Sequence, residues 1–177
     1  MVIAEKKRKE NISEYIIFMY QTEDLVRAYQ FNLEEIEKYV INHFPIEDKN
    51  KAEVKAWYGK VIEQMKTEGI EKEGHLRETV DIVKELSDLN RELLKSDKNY
   101  RSIYDQAKLH IKKHLELSEG KVTDGIQICI NGIYGLMLLR LNGKKVEESQ
   151  KASLNSFGDV LSYLSFKYKK RRAINQN

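Results

Sequence analysis

Proline occurs once in the 177 residues, at Pro45, cysteine once, at Cys129, and glycine nine times. So little turn chemistry excludes a sandwich or barrel of short strands and favours long helices. A lone cysteine excludes an intramolecular disulfide and an all-cysteine zinc centre. No run is apolar enough to cross a bilayer: the longest, 126–141, is interrupted by Gln127, Asn131 and Arg140 and is too short for a span. No secretory leader is visible, because 12–20 is broken by Ser13 and Glu14 and no small-residue cleavage site follows. These absences point to a cytoplasmic protein with no membrane partner.

Several chemistries are missing too. The phosphate-binding P-loop and the dinucleotide glycine pattern do not occur. A di-iron bundle needs Glu-x-x-His on two helices, and none of His43, His75, His110 and His114 has Glu three residues before it. His110 and His114 are spaced for one metal ion. A zinc site wants three or four ligands, and Lys112 and Lys113 between them repel a cation. No metal, cofactor or catalytic residue is therefore expected.

What is present is charge and helical periodicity. The net charge of +3 hides an asymmetry. With the nine basic and two acidic residues of 5–10 and 167–172 set aside, 22 basic residues stand against 26 acidic ones. The body is acidic and the ends are basic. A groove-reading domain carries its positive charge on its body, so nucleic acid is not an expected partner. Residues 1–9 read as a basic arm folding back on the body. The C-terminal cluster suits a helix end, with 171–177 frayed.

Apolar spacing predicts an all-α, single-domain bundle over 1–177 with about seven helices. They are placed at about 10–30, 32–43, 47–68, 75–94, 97–117, 124–142 and 146–170, with 124–142 central. Stop signals are Pro45, Gly69 and the Asn142-Gly143 pair. The helix over 10–30 is apolar on both sides between Tyr15 and Tyr20. Ile17 and Tyr20 lie opposite its main face and need cover, which points to a homodimer through this helix.

The helix over 124–142 carries Gly125, Gly132 and Gly135 on one face, each costing about 1 kcal/mol relative to alanine. That implies close approach by a backbone or an aromatic ring. Its flank carries Asp124, Gln127 and Asn131 at i, i+3, i+7. Such groups need partners when buried: either interhelical hydrogen bonds, or a small polar pocket. Glu23 and Arg27 on the helix over 10–30, and His75 at the start of the helix over 75–94, complete the candidate ligand-binding set. The ligand itself is not legible.

The opening 7–16, followed by Met19-Tyr20-Gln21-Thr22-Glu23-Asp24-Leu25-Val26-Arg27-Ala28, resembles the N-terminal signature of a Bacteroidetes family catalogued as a domain of unknown function. Trp57-Tyr58, Glu68-Gly69, Gly74-His75-Leu76 and Asn131-Gly132-Ile133-Tyr134-Gly135 extend the likeness over most of the chain. The resemblance implies a small all-helical protein of this length and supplies no activity. Without a catalytic constellation, the sequence points to a non-enzymatic binding or assembly protein. The alternative is an enzyme or small-ligand binder with a pocket between the helices over 10–30 and 124–142.

Overall fold

The computed structural model describes residues 2–175. Among the described residues eight α-helices follow one another: α1 Val2–Glu10, α2 Ile12–Ala28, α3 Leu33–Tyr39, α4 Asp48–Thr67, α5 Arg77–Ser96, α6 Lys98–Leu117, α7 Gly125–Leu141 and α8 Glu148–Asn175. A 3-10 turn, Ile41–His43, follows α3. No strand occurs among the described residues.

Local chemistry sets most boundaries. Asn11, Asn32, Asp97 and Asp124 cap α2, α3, α6 and α7 by accepting from backbone N–H groups of the first turn. Phe44, ahead of Pro45, is extended, as the proline ring requires of its predecessor. Gly69 and Gly143 take positive φ just past α4 and α7.

The count differs from the expected seven through α1. The basic N-terminus is a helix, and Lys7, Arg8 and Lys9 form its last turn. There positive charge suits the dipole, so this cluster has the same local explanation as the one ending α8. Lys7 pairs with Glu14 at 3.1 Å, and Arg8 reaches Glu78 of α5 at 2.6 Å.

The core is one continuous cluster, with Ile16, Tyr20, Met65, Leu86, Tyr100, Ile126, Phe157 and Leu164 among its most enclosed side chains. α8 packs chiefly on α6 and α7 and also touches α2 and α5. Small residues let it close on α2: Ser13 Oγ lies 2.7 Å from Ser165 Oγ. The expected central position of α7 applies to its first half. Ile126, Ile128, Cys129 and Ile130 are buried, whereas 131–141 is half-buried or exposed.

Candidate functional site

Glu23, Arg27 and His75 meet where α2 passes the loop leading into α5. Glu23 is fully buried. Its Oε2 accepts from Nδ1 of His75 at 2.6 Å, and its Oε1 accepts from the backbone N–H of Leu76 at 3.1 Å. Leu76 has no side chain able to cap α5, so Glu23 satisfies an orphan donor there. Glu68 does the same for the N–H of Arg77 at 2.6 Å. Arg27 donates to the carbonyls of Ile70 at 3.0 Å and Gly74 at 2.5 Å, and pairs with Asp24 at 3.0 Å. Glu23 and Arg27 thus clamp 70–76 against α2.

Tyr20 links this clamp to α7. Its ring lies flat on His75, with centroids 3.4 Å apart and planes 9° from parallel, and Tyr134 meets it edge-on at 5.7 Å. Gln127 donates from Nε2 to the Tyr20 hydroxyl at 3.0 Å and to Asn131 Oδ1 at 2.7 Å. The Tyr134 hydroxyl donates to Asp24 at 2.5 Å. Burial pushes the Tyr20 hydroxyl up to about 12 against the opposing bond from Gln127. Burial, and then the bond to Asp24, drive Tyr134 upward as well. Both phenols remain neutral at physiological pH.

All the sequence-selected residues except Asp124 therefore join one network. The Asp124 Oδ1 caps α7 through the N–H groups of Ile126 and Gln127, and accepts from Ser87 of α5 at 2.9 Å. It shares with Gln127 a separate open hollow of about 440 Å³ toward Lys121 and Arg91. Tyr20 and Tyr134 are not legible in the sequence as members of this network, because an aromatic on an apolar face carries no sign that a polar partner awaits it. Of the two residues that point to a homodimer through α2, the structure covers Tyr20 within the chain. Tyr20 is buried by His75, Tyr134 and Gln127 of its own chain, and Ile17 is half-buried.

The network is dense rather than hollow: Tyr20 occupies the gap between α2 and α7. The open space lies farther along α7. Its second half, with Lys113, His114 and Leu117 of α6 and Gln150, Ser153 and Leu154 at the start of α8, lines a groove of about 610 Å³. Gly135, Leu138, Leu139 and Lys144 complete it. A Cβ on Gly132 would lie 2.7 Å from the Phe157 ring, so that glycine is required by close packing. A Cβ on Gly135 would meet nothing within 4 Å; there the missing side chain opens the groove. Leu138 and Leu117 of the lining keep 37% and 68% of their surface exposed. The charged residues of the lining are Lys113 and Lys144, with no carboxylate.

His114 donates from Nδ1 to the carbonyl of His110 at 2.8 Å, and His110 Nδ1 contacts Ser153 Oγ at 2.8 Å. Among the described residues no group of three or more His, Cys, Asp or Glu side chains is placed to hold a metal ion. Among them, too, no helix is long and apolar enough to cross a membrane.

Fold and site together define an all-helical, single-domain protein with a dense, partly exposed polar network beside an open apolar groove. The chain belongs to the family described as Domain of unknown function (DUF4924), whose model matches residues 1–175. No curated protein and no solved structure matches it.

Proposed function

We propose that this is a non-enzymatic cytoplasmic binding protein whose α6–α7–α8 groove receives an acidic amphipathic helix of a partner protein. One observation carries the reading. The most apolar helix of the chain is buried over its first half, whereas its second half is only half-buried or exposed beside a groove. Contiguous exposed apolar surface marks an interaction site. The stretch 131–142 runs about 16 Å at 1.5 Å per residue, which matches the i, i+3, i+4, i+7 anchors of a helix laid in a groove. The open shape and projecting leucines suit a helix better than an enclosed small ligand. Lys113 and Lys144, with no opposing carboxylate, favour acidic flanks on the occupant. A second copy on the same face would bring basic rim to basic rim, so self-association through it is disfavoured.

The test is titration with a labelled model helix carrying leucine at the four anchor positions and glutamate elsewhere. Binding in the range of about 1 μM, or roughly −8 kcal/mol, is expected. The same peptide with lysine replacing glutamate should bind far more weakly. Gly135→Leu fills the groove and should abolish binding while circular dichroism and melting remain native. Equal binding of both peptides, or full binding by Gly135→Leu, contradicts the proposal.

A second reading rests on His75, whose side chain is 31% exposed while Nδ1 is held by the buried Glu23. A carboxylate that fixes one ring nitrogen orients the other for proton transfer or ligand contact. This would make the network a small-ligand or catalytic site using Glu23, His75, Gln127 and Asn131. His75→Gln distinguishes the readings: it leaves groove binding intact under the first, and removes ligand binding or turnover under the second.

A further inference from the structure

The two basic ends of the sequence, 160 residues apart, converge. Arg8 and Lys9 of α1 and Lys169 and Arg172 of α8 line one cleft of about 450 Å³, with Ser165 and Tyr168 in its wall and Glu5 as the carboxylate of the lining. We propose that this cleft binds a small phosphate-bearing molecule with more than one anionic group, the pyrophosphate class.

Arg8 is held in place by Glu78 at 2.6 Å and lies 5.6 Å from the centroid of the Tyr15 ring. Its Nε is buried and lacks an acceptor, which is unusual for a buried donor. Arg172 lies over the Tyr168 ring at 5.9 Å, and Tyr168 is anchored through its hydroxyl to Glu85 at 2.7 Å. Among the described residues, Lys9, Lys169 and Arg172 form no ion pair, whereas neighbouring Lys167 and Arg171 are spent on Asp97 and Glu92. Three uncommitted cations thus face one small hollow. Like charges held together favour a multiply charged anion, and a guanidinium matches the paired oxygens of a phosphate.

The neighbouring surface sets the ligand's size. The adjoining hollow shares Arg8, Tyr168 and Arg172 and adds Glu68, Glu78, Asp81 and Glu85 against one further cation, Arg77. A polynucleotide leaving the cleft on that side would meet four carboxylates, which repel its backbone. A ligand confined to the cleft avoids them.

The experiment is calorimetric titration of the full chain with inorganic pyrophosphate at low salt. Two variants remove equal charge from one helix turn: Lys169→Gln with Arg172→Gln in the cleft, and Lys170→Gln with Arg171→Gln outside it. Circular dichroism checks that both are folded. The proposal expects saturable binding, lost by about tenfold or more in the first variant and within about twofold of wild type in the second. Absence of binding to the wild-type chain, or equal loss in both variants, overturns it. A single-stranded oligonucleotide of about 20 residues that binds more tightly than pyrophosphate, with a steep salt slope, also overturns it by making the cleft part of a nucleic-acid surface.

Discussion

Glu23 is the residue on which most of the polar network depends. It holds a half-buried ring nitrogen and a buried helix-start N–H at once, and is itself closed to water. Glu23→Ala should cost roughly 3 kcal/mol, because two donors lose their acceptor; chemical denaturation measures this. The glycines of α7 give an opposed pair. Gly132→Ala meets the Phe157 ring and should destabilise by about 1–3 kcal/mol. Gly135→Ala meets open space and should stabilise the helix by up to about 1 kcal/mol. The cost of glycine in this helix, and the need for something over the gap, are legible in the sequence. Which glycine is packed and which is bare depends on where Phe157 arrives from α8, and no local pattern encodes that. Cys129 is buried and its thiol is pushed well up, first by burial and then by Asp124. It should resist thiol reagents until the protein unfolds.

At the scale of elements, caps were readable and non-local props were not. Asp97 and Asp124 announce α6 and α7 because a short acceptor before an apolar run is a local signal. α5 lacks such a signal, since its first N–H groups are satisfied by Glu23 and Glu68 from elsewhere in the chain. α1 is nine residues long, too short to be stable alone. It is supported by buried Ala4 and by Arg8 reaching Glu78, contacts invisible in 1–10. The groove was illegible for a related reason: a helix that is apolar all round does not declare which side stays uncovered.

Asp97 adds a pH dependence. Its carboxyl is held well below the usual range by the hydrogen bond from Lys167, aided by Tyr100 N–H and the Tyr163 hydroxyl. A lowered native pKa means that the unfolded chain takes up the proton first. The contribution of Asp97 is therefore complete above its unfolded value of about 4 and drains as pH falls through and below it. Asp97→Asn should lower the melting temperature at neutral pH. That gap should narrow between about pH 5 and about pH 2; a constant gap contradicts this origin.

For the whole molecule, the acidic body with basic ends was legible as a charge count, but the meeting of the ends was not. The fold brings the end of α1 and the end of α8 to one cleft, so two clusters that read as separate helix-end features share it. The cover over Tyr20 comes likewise from His75, 55 residues later, so Tyr20 is buried without a partner chain. Sedimentation at tens of micromolar, a concentration that would populate even weak pairs, should show a monomer.

The central claim is that the exposed half of α7 is a helix-binding surface. Hydrogen exchange across the full chain, with and without the acidic model helix, tests it most directly. The account predicts added protection confined to the groove walls, at 131–142 and at the end of α6 near 113–117, with α1 and the end of α8 unchanged. Protection centred instead on α1 and α8, or none at saturating peptide, would contradict it.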